Sequence, residues 1–226
     1  MTEQLLPCVE HTLGDKPTHS IIWLHGLGAD GHDFFPMTSE LELPEGLSVR
    51  FVFPHAPMQP ITVNNGYVMR AWYDIITLSD VHRTVDETGI TASNAQIQAL
   101  IDREIQRGIA PQHILLAGFS QGGVMAYYAG LTCPHTLGGI VALSTYLPNT
   151  DSLDKIRQPA NFDTPIFAGH GTYDPVIRIQ LGEEACQQVQ DWGYQVEWHE
   201  YPTPHSVCAE EIEDLSDWLI NLWREA

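Results

Sequence analysis

The sequence predicts an α/β fold in which a mostly parallel central sheet is covered by helices on both faces. Three observations carry that expectation. Short apolar runs recur along the 226 residues, stretches with helical spacing lie between them, and most of the runs are apolar throughout. Strands buried on both faces read in this way, whereas strands with one wet face alternate.

The first strong run is Ser20–His25 (SIIWLH), which leads into a glycine-rich loop. Val49–Phe53 follows and is stopped by Pro54; His113–Phe119, Gly139–Ser144 and Pro165–His170 are the next three. Tyr194–Tyr201 alternates more and is expected nearer a sheet edge. Helices are expected over Ser93–Arg107, where Ile97, Leu100, Ile101 and Ile105 fall at three- and four-residue steps before Gly108. Further helices are expected over Gln121–Leu131, Ile179–Trp192 before Gly193, and Glu210–Trp223, with Leu215, Trp218, Leu219 and Leu222 on one stripe. Residues 54–92 are the least regular stretch, and a long irregular segment of this kind is expected to wall a site. No repeat or linker divides the chain, so a single domain over 1–226 is expected.

Composition narrows the function classes. With 29 Asp and Glu against ten Lys and Arg, the formal charge is −19. Such a field repels phosphate backbones, which makes nucleic acid a poor partner, and favours neutral over acidic substrates. No run reaches the ~18 apolar residues of a membrane span. Cys8, Cys133, Cys186 and Cys208 form no C-x-x-C pair, and the chain opens without a signal-peptide pattern. Reduced thiols and a cytoplasmic location are the expectation.

Gly118-Phe119-Ser120-Gln121-Gly122 sits between the third strand and a helix. A serine at the tip of a strand-to-helix turn occupies a strained backbone position, and the helix aims its first amides at charge developing on a substrate oxygen. A hydroxyl is a weak nucleophile without a base, and the base needs a carboxylate to orient it. Asp174, in the loop after the fifth strand, is the expected carboxylate; Asp151, Asp154 and Asp163 precede that strand and lie at its wrong end. His205, between the sixth strand and the last helix, is the expected base, with His199 its nearest rival. Leu24-His25-Gly26-Leu27-Gly28 is expected to supply the second oxyanion donor, so the backbone amides of Leu27 and Gln121 are paired in that role. His25 is read as a buttress of that loop. No metal-ligand spacing emerges from His25, Asp30, His32 and Asp33.

These residues resemble the phospholipase/carboxylesterase group of α/β-hydrolases, which includes carboxylesterases and acyl-protein thioesterases. The matching pieces are LHGLGADGHDF at 24–34, PHAP at 54–57, AWYD at 71–74, GFSQGG at 118–123, LGGIVALSTYLP at 137–148, HGTYDPV at 170–176 and HSVCAEEI at 205–212. The resemblance implies an α/β-hydrolase fold without a large lid domain. It also implies a cofactor-free and often dimeric serine hydrolase acting on carboxylic esters, and in some members on acyl thioesters or lysophospholipids. It puts Ser120, Asp174 and His205 on the triad positions, Leu27 and Gln121 on the oxyanion positions and Trp72 beside the substrate cleft. One departure is Pro204, where relatives usually carry glycine; its fixed φ implies a stiffer or differently shaped loop before His205. The alternative from another class is a ligand-binding protein that keeps this fold without turnover, though such proteins usually lose the serine or the histidine. A dienelactone hydrolase-like activity would favour cysteine at the position of Ser120.

Overall fold

The computed structural model describes residues 5–78 and 83–224. Eleven strands lie among them: β1 Cys8–Leu13, β2 His19–Leu24, β3 Val49–Pro54, β4 Met58–Ile61, β5 Tyr67–Arg70, β6 Ile75–Leu78, β7 Arg83–Val85, β8 Ile114–Phe119, β9 Gly139–Leu143, β10 Ile166–Gly171 and β11 Val196–Tyr201. The helices are α1 Met37–Glu40, α2 Glu87–Gln106, α3 Gln121–Thr132, α4 Thr150–Asp154, α5 Ile179–Asp191 and α6 Ala209–Arg224. Seven strands form one sheet in the order β1-β3-β2-β8-β9-β10-β11. Only the edge strand β1 runs antiparallel in it, paired with β3.

The six expected strands all form, and β11 closes an edge as its alternation predicted. Period-two geometry explains why the runs are apolar throughout. Ile22, Leu24, Val52, Ile114, Leu116, Ile140, Ala142 and Ile166 face one way, against α2, α3 and α5. Their neighbours Ile21, Trp23, Phe51, Phe53, Leu115, Ala117, Val141, Leu143 and Phe167 face the other way, against α1 and α6. The stripe on α6 buries Leu215, Trp218, Leu219 and Trp223. Large side chains of this kind each contribute roughly 1.5–3 kcal/mol on full burial. Glu104 on α2 is fully buried yet paired: Arg50 on β3 reaches it at 2.7 Å and Arg107 at 3.0 Å, tying helix to sheet.

Residues 54–92 hold two antiparallel hairpins, β4–β5 and β6–β7, and the opening of α2. That helix starts at Glu87 rather than Ser93, because Asp86 caps it: its carboxylate accepts from the Thr88 amide at 3.0 Å. Among the described residues no insertion forms a lid domain, and no helix is long and apolar enough to cross a membrane.

Because the six central strands are parallel, their C-terminal ends share one edge. Leu24 pairs with Gly118, Phe119 with Leu143, and Gly171 with Tyr201. The loops after β2, β8, β10 and β11 therefore open along a single rim, the usual place for a ligand site in such sheets.

Candidate active site

Ser120 follows β8 directly with φ 56° and ψ −119°, a conformation that costs free energy for any side chain. Close packing enforces the turn. A Cβ on Gly118 would stand 2.1 Å from the Gly122 carbonyl oxygen, and one on Gly122 would stand 2.1 Å from that of Leu24. Both glycines of G-x-S-x-G are thus required by backbone approach. The elbow is further anchored by the Ser120 amide, which donates to the Leu143 carbonyl at 2.9 Å, and by the Thr145 hydroxyl, which donates to the Ser120 carbonyl at 2.7 Å.

Asp174 lies in the loop after β10 and His205 in the loop after β11. His205 Nδ1 stands 2.6 Å from Asp174 Oδ2, while Asp174 Oδ1 accepts from the Val176 and Ile177 amides, each at 2.8 Å. Burial by itself would raise the Asp174 carboxyl, but these hydrogen bonds outweigh it and hold the group below the ordinary carboxylate value. His170 Nε2 lies 3.5 Å from the same carboxylate and hydrogen-bonds the Ile177 carbonyl at 2.8 Å; burial lowers its pKa and keeps the ring neutral. The His205 loop is closed by its own bonds: the Ser206 amide donates to the Pro204 carbonyl at 2.8 Å, and the Thr203 and Ser206 hydroxyls meet at 2.9 Å. Proline is accommodated here because the backbone bond at this point needs the Pro204 carbonyl rather than an N–H.

With Nδ1 held by a carboxylate, an imidazole has Nε2 free to exchange a proton. Ser120 and His205 both line a cavity of about 260 Å³, together with Leu27 and Gln121. Among the described residues no hydrogen bond links the Ser120 hydroxyl to the imidazole, and His205 packs its ring 4.7 Å from that of Phe119. Contacts of this kind often tighten only when substrate is bound.

The loop after β2 is held from beneath. His25 Nδ1 contacts the Gly26 carbonyl at 2.7 Å and Nε2 accepts from the Ala56 amide at 3.0 Å, so Nδ1 carries the proton and the ring buttresses the loop. Burial pushes its pKa down to about 4, which keeps this tautomer neutral. Trp72 is only 1% exposed and lies outside the cavity wall; its indole N–H donates to the His25 carbonyl at 2.9 Å. Gln121 ties both parts together, its side chain accepting from the Trp72 amide at 2.7 Å and donating to the Tyr73 carbonyl at 2.8 Å. Its own amide opens α3, where no preceding turn offers an acceptor. Among the described residues neither the Leu27 nor the Gln121 amide makes a hydrogen bond.

The same cavity is walled by Asp33, Ile75, Arg83, Phe119, Tyr146 and Val176, of which sequence reasoning weighed only Asp33, and that as a metal ligand. Ile75 and Arg83 do come from the irregular segment expected to wall a site. Asp151 and Asp154 fall in α4, and His199 pairs instead with Glu197 and Asp214, at 2.9 and 3.2 Å. Among the described residues one set of side chains could share a metal ion: Asp30, His32 and His55 bring ligand atoms within 4.8 Å of one another. None of the three lines the cavity, and His55 Nδ1 already accepts from the Gly31 amide at 3.0 Å.

The profile of the phospholipase/carboxylesterase family matches residues 9–223. Acyl-protein thioesterase 1 of Neurospora crassa is 39% identical over 212 residues, which cover 90% of this chain and 86% of that one. Acyl-protein thioesterase 1 of Mycosarcoma maydis is 37% identical over 220 residues, covering 91% and 92%. Of solved structures, SOBER1 of Arabidopsis thaliana is similar with a TM-score of 0.85 at 32% identity, covering 91% of this chain and 99% of that one. Acyl-protein thioesterase 2 of Zea mays has a TM-score of 0.81 at 26% identity, covering 95% and 98%.

Proposed function

The chain belongs to the phospholipase/carboxylesterase family, and from that premise we propose that Ser120, His205 and Asp174 transfer an acyl group from an ester or thioester to water. It is an esterase and thioesterase-type hydrolase on the α/β-hydrolase fold. The observation that supports the triad reading best is the pairing of His205 Nδ1 with a buried carboxylate at 2.6 Å, while the ring shares a cavity with Ser120.

His205 Nε2 takes the hydroxyl proton as Ser120 Oγ bonds to the acyl carbon. The carbonyl oxygen gains the negative charge and accepts the hydrogen bonds that the Leu27 and Gln121 amides donate. Each such donor is worth about 2.7–4 kcal/mol of transition-state stabilisation. The tetrahedral species then expels the alcohol or thiol, which leaves with the proton from His205. Water repeats the sequence on the acyl-enzyme: His205 takes its proton, hydroxide adds to the acyl carbon, and Ser120 leaves with that proton. Asp174 stays ionised and stabilises the imidazolium formed in both halves. Trp72 acts through the loop it supports rather than by touching the acyl group.

The chain is read as one catalytic domain, since all elements named in the mechanism rise from one sheet edge. Its four free thiols support a reducing compartment such as the cytoplasm.

Replacing Ser120 by alanine tests the proposal. Hydrolysis of a nitrophenyl ester and of an acyl thioester is expected to disappear together while the far-ultraviolet dichroism stays native. Undiminished turnover of either substrate by the folded variant would refute it.

A further inference from the structure

Arg83 stands where two cavities meet. The cavity holding Ser120 and His205 shares Arg83 and Tyr146 with a second one of about 310 Å³, which contains neither of those two residues. The second cavity runs on past Tyr146 to Asn149 and Thr150 after β9 and to Gln188 on α5. The Arg83 guanidinium lies 4.9 Å from the centre of the Tyr146 ring, and one of its terminal nitrogens donates to the Val176 carbonyl.

Two side chains on the wall of this cavity carry donors that the packing leaves unanswered. Arg83 Nε and Asn149 Nδ2 are buried donors with no hydrogen-bond partner among the described residues. Buried donors left without acceptors cost free energy, which a ligand acceptor removes. The charge of Arg83 is equally unanswered: Arg50, Arg103, Arg107 and Arg157 each meet a carboxylate, while no ion pair forms at Arg83 among the described residues. A cation that meets no carboxylate and an amide, each with one donor nitrogen left unbonded at one cavity, fit an oxyanion.

The direction of the cavity says which part of a substrate reaches it. A leaving group must depart beside His205, which returns the proton to it. The groove flanking His205 on its other side is bordered by Ser206, Val207 and the carboxylates of Asp33 and Glu40. The space beyond Tyr146 is left for the acyl chain, which stays on Ser120. At about 310 Å³ it lies at the small end of ligand pockets and suits a short chain.

We propose that Arg83 and Asn149 form an anion subsite for the acyl portion, so that the enzyme prefers monoesters or monothioesters of short dicarboxylic acids. This rests on the reading of Ser120 as the acyl carrier. It also revises the expectation that the net charge of −19 favours neutral esters. That field acts at long range and is screened by salt, whereas the subsite acts at contact. Glu184, on the same cavity wall, sets a limit to the preference.

The test compares kcat/KM for 4-nitrophenyl hydrogen adipate with that for 4-nitrophenyl hexanoate, which match in chain length and leaving group. The wild type is expected to favour the adipate. Arg83→Gln should lower the adipate-to-hexanoate ratio by about 10- to 100-fold, the range for one charged hydrogen bond. Asn149→Asp, whose side chain tolerates the left-handed backbone at that position, should lower the ratio with Arg83 intact, and Glu184→Gln should raise it. These two variants decide the matter if Arg83→Gln fails to fold. A wild type without preference, or variants in which both substrates change in parallel, would overturn the subsite. Loss of serine dependence, read from hexanoate turnover in Ser120→Ala, would instead strike the mechanism itself.

Discussion

His205 presents Nδ1 to Asp174 Oδ2 at 2.6 Å across the gap between two adjacent parallel strands. The pairing of Gly171 with Tyr201 brings the two loops level, so the sheet register itself brings imidazole and carboxylate together. Gly171 has no room for a side chain: a Cβ there would meet the Thr203 and Pro204 carbonyl oxygens at 2.4 Å. The same close approach holds the His205 loop against β10.

Asp174→Asn keeps the shape of this contact and removes its charge. An amide that donates to Nδ1 would select the wrong imidazole tautomer, and kcat is expected to fall by about 10⁴-fold with little change in KM. Steady-state kinetics beside a thermal melt check this; a loss under tenfold would remove Asp174 from the mechanism.

Gly122→Ala should damage the fold before it damages the chemistry. The new Cβ would sit 2.1 Å from the Leu24 carbonyl oxygen, a backbone atom that cannot swing aside. A loss of about 3 kcal/mol or more in urea unfolding is expected. A variant as stable as the wild type would mean that the elbow is looser than described.

Trp72→Phe deletes the bond from the indole to the His25 carbonyl at 2.9 Å. Stability should drop by about 1 kcal/mol. The nearby Leu27 amide then loses alignment, so kcat should fall more than KM rises. The opposite split, with KM affected and kcat intact, would assign Trp72 to direct substrate contact instead.

Glu211 carries a pH dependence of stability. It is fully buried on α6, where it and Tyr201 flank Gly169, and burial together with the neighbouring charge of Asp214 pushes its pKa up to about 8. An unfolded glutamate titrates near ~4.3. Between those values the folded chain holds a proton that the unfolded chain has released, so stability falls as pH rises through the window and levels off above about 8. Glu211→Gln stays neutral throughout. Its melting temperature, relative to the wild type, should therefore gain on the order of 5 °C between pH 5 and pH 9. Parallel profiles for the two proteins would contradict the assignment.

What could be read from the sequence was whatever a short window encodes. G-x-S-x-G announces a close backbone approach, and the apolar runs announce strands buried on both faces. The alternation in Tyr194–Tyr201 announced the edge strand β11. β1 escaped notice because its residues Cys8–Leu13 are partly exposed and mix acid, histidine and apolar types. The hairpins escaped because β4 contains Pro60 and β5 exposes Tyr67 and Val68, leaving no clean period. Arg83 could not be singled out, since its meaning comes from Tyr146 and Val176, which only the fold brings beside it. Trp72, which its place in AWYD marked for the cleft, is buried, and its indole N–H donates to the His25 carbonyl, a bond no sequence window encodes.

The central claim is that one serine carries the acyl group. Treating the protein with a fluorophosphonate and mapping the adduct by peptide mass spectrometry reads this directly. One phosphonyl group on Ser120 is expected, with hydrolysis lost in proportion to labelling and no adduct on that peptide in Ser120→Ala. A fully labelled protein that still hydrolyses its ester, or an adduct at another residue that tracks the loss of activity, would contradict it.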